Sequence, residues 1–195
     1  MPSRRWLLLS ILVVVLWFAA FGSAWSTIGG PYNAAVGHGA VALWRFFAVS
    51  DAAYTQATAE EIELTVYRPL PNGQLVRIPY VFSGYFQVSC VLVVALFIVT
   101  PKLAVGRKVV WCSLTLVALY AFHVVYLVSM LHIGIAREVL PQIGIPSRGV
   151  DEWLYRLLAI AKHLVPVLLW AGAALWMWRR SPRSDKVEPD AKRTH

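Results

Sequence analysis

His123, Lys162 and His163 are the side chains of this sequence best suited to chemistry, because each lies inside a long apolar stretch, where an ionisable group is costly and is a functional candidate by default. An imidazole can donate, accept or ligate, and an ammonium brings three donors and a charge. If the stretches are helices rising 1.5 Å per residue, His123 falls about ten residues, or roughly 15 Å, before the end of its stretch. Lys162 and His163 fall about as far past the start of the next one, so two antiparallel helices bring all three to one depth. Gln87 and Ser89 sit in the same half of the preceding stretch, with the polar tips of Tyr85, Tyr120, Tyr126 and His132 nearby. Gln87, His123, Lys162 and His163 therefore form a candidate intramembrane polar site. The ordinary readings are a histidine bonding across helices, a lysine snorkelling outward along its stem, and tyrosines that only pack.

The matched depth of His123 and His163 also fits a bis-histidine b-type haem held between helices. Haem b is thus the alternative to a chain without a cofactor, and a small redox or transport protein is the alternative function. Enzymatic signals are missing: there is no phosphate-binding loop, no HExxH, and no carboxylate pair within an apolar stretch. Cys90 and Cys112 have neither CxxC nor metal-ligand spacing and read as small hydrophobes. Glu60, Glu61 and Glu63 read as a solvated strand edge, so no metal site is expected.

Four charge-poor stretches must position these groups. No charge lies between Arg5 and Arg45, Arg77 and Lys102, or Lys108 and Arg137, and the fourth stretch carries only Arg156 and Lys162. The chain is 58% hydrophobic and 14% charged, with mean hydropathy +0.61, where a soluble domain has about a quarter charged residues. Crossing about 30 Å of hydrocarbon takes roughly 20 apolar helical residues. The expected fold is an all-α membrane protein, a four-transmembrane-helix bundle spanning about 6–27, 81–100, 109–135 and 153–178. A secretory signal peptide ending near Gly22-Ser23-Ala24 is the rival reading of the first span, although Trp17, Phe18 and Phe21 crowd such a cleavage site.

Between the first two spans lies a loop, 29–80. After the Gly29-Gly30-Pro31 break, 33–49 reads as a helix resting at the membrane interface. Asp51 to Glu60 reads as a polar connector. EIELTVYR and QLVRIPYV, joined by PLPNG, alternate in the period of strands and predict a β-hairpin over 61–81, with Pro79 demoting its end to an edge. An isolated hairpin is marginal in water, so it should lean on something. Trp44, Phe47, Val66 and Leu75 are the candidate interaction surface. The connection around Pro141 and Pro146 should be a structured loop, and the polar tail 181–195 should be disordered.

The net charge of +8 is distributed as in a membrane protein, not as a nucleic-acid-binding face. Arg4, Arg5, Lys102, Arg107, Lys108 and the basic residues after Trp178 fall on one side of the four spans. By the positive-inside rule this makes both termini cytoplasmic and loop 29–80 extracytoplasmic.

The segment PYNAAVGHGAVALWR (Pro31 to Arg45), the EIELTVYRPLPNG region, the length and the four-span layout together resemble the small bacterial membrane proteins associated with exosortases, of the exosortase H-associated type. The resemblance is architectural and transfers no site residues. It implies a multi-pass accessory protein of the bacterial inner membrane, working beside a system that processes C-terminal anchors on the outer face. The expected partners are the lipid bilayer and another membrane protein, with no nucleic acid.

Overall fold

The first element of the computed structural model, which describes residues 4–48, 51–69, 73–83, 85–100, 104–139 and 150–180, is one helix of 44 residues, α1 (Arg4–Phe47). At 1.5 Å per residue it is about 66 Å long, roughly twice the thickness of a bilayer's hydrocarbon. The break expected at Gly29-Gly30-Pro31 does not occur. Pro31 removes one helical hydrogen bond and crowds the preceding turn, at a cost of about 3 kcal/mol, yet tertiary contacts hold the helix on both sides of it. The Trp25 indole donates to the Ala59 carbonyl at 2.9 Å, and the Asn33 amide donates to the Thr58 and Ala59 carbonyls at 2.9 and 3.2 Å. The separate interfacial helix 33–49 is thereby corrected: residues 33–47 continue α1, Ala48 follows its end, and Val49 lies outside the described residues. Their apolar face, Val36, Ala40, Val41 and Trp44, is buried under a sheet instead of lying on lipid.

That sheet has three antiparallel strands in the order β1-β2-β3: β1 (Ala52–Ala57), β2 (Glu61–Pro69) and β3 (Leu75–Ser83). The expected hairpin is β2–β3, with Thr65 opposite Pro79 and Val66 opposite Ile78, and Pro79 stands on an edge strand. The added strand β1 replaces the expected polar connector. It pairs Ala53 with Val66 and Thr55 with Leu64. Its inward residues, Ala53, Thr55 and Ala57, are small because β1 lies directly on α1. A side chain at Gly37 would collide with Thr55. The Arg45 guanidinium crosses to the Ala53 carbonyl at 2.8 Å. Arg68 grips Asp51 through Nε and Nη2 at 3.2 and 2.8 Å, and the Asp51 side chain is only 1% exposed.

The remaining helices are α2 (Tyr85–Val99), α3 (Val105–Gly134), which runs on into a π-helical turn, Ile135–Val139, and α4 (Val150–Arg180). They fall on the expected spans 81–100, 109–135 and 153–178, but β3 claims residues 81–83. That leaves α2 with 15 residues, about 22 Å. Among the described residues three helices, α1, α3 and α4, are long and apolar enough to cross a membrane, and α2 is shorter. Trp111 meets Trp176 at 4.5 Å between ring centroids, the Trp170 indole donates to Thr100 Oγ1 at 3.0 Å, and Lys108 Nζ donates to the Ile98 carbonyl at 2.9 Å. These contacts gather the end of α2, the start of α3 and the end of α4 at the pole away from the sheet.

Two cores result. One joins α1 and α3 to the inner face of the sheet through Val36, Trp44, Ile62, Leu64, Val66, Leu127 and Leu131. The other joins α2, α3 and α4 through Cys90, Val93, Phe97, Leu119, Ala173 and Met177, where Cys90 does pack as a small hydrophobe. The expected loop around Pro141 and Pro146 and the expected disordered tail 181–195 lie outside the described residues.

Candidate functional site: a polar cleft where the sheet meets the bundle

His123 sits on α3 at the meeting point of the two cores and is 1% exposed. Its Nδ1 shares a 2.7 Å hydrogen bond with the hydroxyl of Tyr32 on α1. The Phe86 ring, in the first turn of α2, covers the imidazole at 4.1 Å between centroids and 32°. Tyr32 approaches edge-on at 6.1 Å, and Phe122 flanks the ring at 5.8 Å. One α-helical turn away, the Tyr120 hydroxyl donates to the Ala35 carbonyl at 3.1 Å. The close approach of α1 and α3 depends on Gly39, where a Cβ would stand 2.8 Å from both Tyr120 Oη and Val124 Cγ2.

Beside His123 opens a cleft of about 280 Å³. β3 lines it with Val81 and Phe82, α2 with Phe86, Val88, Ser89 and Leu92, α3 with His123, Tyr126 and Met130, and α4 with Tyr155, Lys162, His163 and Pro166. The structure therefore brings together three of the four polar residues singled out from sequence: His123, Lys162 and His163. Gln87 is the correction. Phe86, Val88, Ser89 and Leu92 cluster on one side of α2, and at 100° per residue Gln87 projects from the other. Lys162 faces the bundle, which the sequence alone left open.

The proposed haem ligands His123 and His163 do line one cleft, but their settings differ. His123 is buried with Nδ1 engaged and one face under Phe86, whereas His163 is exposed. Among the described residues no group of three or more His, Cys, Asp or Glu side chains is placed to hold a metal ion.

Of the expected interaction surface, Trp44 and Val66 are corrected: they are 3% and 0% exposed and belong to the core. Unbroken α1 turns Trp44 beneath the sheet, and strand alternation puts Val66 on the covered face. Leu75 and Phe47, 68% and 70% exposed, remain on the surface. The open face of the sheet has a shallow depression of about 620 Å³ whose lining includes Tyr54, Glu63, Thr65, Tyr67, Leu75 and Arg77. Tyr54 and Tyr67 stack edge-on at 5.9 Å, and Arg77 lies 3.6 Å from Glu63.

Sequence reasoning missed Tyr32 and Phe86. Had α1 been read as continuous, Trp25, Tyr32 and Val36 would have emerged at helical spacing on one face. Comparison with family models, with curated proteins and with solved structures found no match.

Proposed function

We propose that this chain is a non-enzymatic accessory protein of a bacterial inner membrane that presents its sheet to another membrane protein. In this reading α1 to α4 cross four times, both termini are cytoplasmic, and the sheet stands on the outer face. The basic residues at the pole away from the sheet, Arg107, Lys108 and Arg179 among them, support that orientation. The observation that carries the reading is the two-faced sheet. Its inner face is fully used by α1 and α3, while its outer face keeps tyrosines, an arginine and exposed Leu75 around an open depression. Aromatic residues and Arg are the types enriched at protein interfaces. The resemblance to exosortase-associated proteins makes a protein-sorting transpeptidase the partner class to try first.

A photo-crosslinking residue placed at Tyr54 or Leu75 tests this in native membranes. Discrete protein adducts from these sites, and none from lipid-facing Leu168, are expected. Adducts to lipid alone from all three positions would refute the reading. A second reading, a small transport or redox protein working through His123, Lys162 and His163, is favoured by the cleft that joins them. Haem b remains its cofactor form, to be tested by a reduced-minus-oxidised spectrum of the purified protein.

A further inference from the structure

We infer that the cleft beside His123 binds a phosphate headgroup carried by an amphipathic molecule. The donor set fits an anion. Lys162 supplies a charge and N–H donors, and Ser89, Tyr126 and Tyr155 supply hydroxyls. His123 and His163 add ring nitrogens. When the Tyr32 hydroxyl donates to Nδ1 of His123, the imidazole proton sits on Nε2, so even a neutral ring is a donor. No carboxylate lines the cleft among the described residues. Glu152, earlier on α4, is instead held by Arg137 and Arg156, each at 3.0 Å.

The level of the cleft fits a headgroup as well. An open sheet edge cannot lie in hydrocarbon, because its backbone groups would go unbonded. β3 is such an edge, and its last residues form one wall. The cleft therefore sits at the boundary of the leaflet on the sheet side, shallower than a helix count from sequence suggests. The rest of its wall is apolar, Leu92 and Pro166 among it, and Val88, 54% exposed on α2, borders the bundle's outer surface. A volume of about 280 Å³ suits a headgroup and leaves its chains outside, since pockets for whole drug-sized ligands run from about 300 to 1,000 Å³.

The test uses the full chain purified in detergent and titrated with dihexanoyl phosphatidylglycerol, dihexanoyl phosphatidylcholine or inorganic phosphate, read by native mass spectrometry and thermal shift. The anionic lipid is expected to bind and the zwitterionic one not. Lys162→Gln should weaken binding about tenfold or more, the value of one charge-assisted hydrogen bond, and Lys162→Arg should restore most of it. Inorganic phosphate is expected to compete only weakly, because it lacks the apolar part, and phosphate that binds as tightly as the anionic lipid would overturn an amphipathic occupant in favour of a soluble phosphate compound. Equal binding of both lipids, or unchanged affinity in Lys162→Gln, overturns the proposal. If that variant does not fold, His163→Gln and Tyr155→Phe at the exposed mouth replace it, and no loss in either is equally fatal. The inference is independent of the accessory reading, because crosslinking from Tyr54 and Leu75 reports on a different face of the molecule.

Discussion

The grip of Asn33 and Trp25 on the β1–β2 turn predicts a measurable coupling across Pro31. Asn33→Ala removes two hydrogen bonds and leaves the Thr58 carbonyl without its Asn33 donor, while Ala59 keeps the Trp25 indole. Each lost bond is worth about 1 kcal/mol net, and the carbonyl of exposed Thr58 can turn to water, so no further penalty is added there. Against this, Asn33 Oδ1 is itself buried without a hydrogen-bond partner, so its removal returns part of the loss. The expected net is about 1–2 kcal/mol, or roughly a five- to thirtyfold rise in opening of the turn. Trp25→Phe should cost less on its own, because Asn33 still serves Ala59. In the double variant Ala59 loses both donors, so the two costs should exceed additivity by about 0.5 kcal/mol or more. Hydrogen exchange of the β2 amides in detergent reads the opening directly, with exposed Gln56→Ala as reference. If Asn33→Ala exchanged no faster than Gln56→Ala, or if the double variant were strictly additive, this clamp could not be what carries α1 through its proline.

Two further outcomes follow from buried contacts. Arg68→Leu leaves the Asp51 carboxylate buried and unpaired at the sheet corner, so it should destabilise by about 3–5 kcal/mol. Adding Asp51→Leu should recover much of that in a thermal melt, and a double variant as weak as the single one would count against the pairing. Gly39→Val forces branched carbons into Tyr120 and Val124. Overpacking of this kind costs about 1–3 kcal/mol, and a cysteine crosslink engineered between α1 and α3 should form more slowly. An unchanged crosslinking rate would show that the helices do not meet there.

Much of the helical architecture was legible in the sequence, because apolar length alone marks a helix that can cross a bilayer. The ends were less so. Val81–Ser83 are as apolar as the helix that follows, and only pairing with β2 makes them strand. Local chemistry misled at two places. Gly29-Gly30-Pro31 is a sound stop signal in isolation, but Trp25 and Asn33 reach contacts some 25 residues or more away in sequence, which no local window can register. β1 was invisible for the opposite reason: a strand lying against a glycine-bearing helix needs small residues, and in AAYTQA only Tyr54 and Thr55 belong to the types that announce a strand. Within the site, depth matching found His123, Lys162 and His163. It could not assign faces, so Gln87 was included, and Tyr32 was missed on a helix presumed to have ended.

The placement of the site on α3 limits how independent the two ends of this molecule can be. His123, Tyr126 and Met130 face the cleft, while Val124, Leu127 and Leu131, one residue further round each turn, carry the inner face of the sheet and α1. These are adjacent faces of the same few turns. Interiors packed to crystal-like density deform little, so α3 cannot rotate to suit an occupant of the cleft without disturbing Leu127 and Leu131 beneath the sheet. The Tyr32–His123 hydrogen bond ties the third element, α1, to that same point. A sheet free to move as a separate module would need a core of its own, whereas here its buried face is completed by helices that also cross or line the bundle.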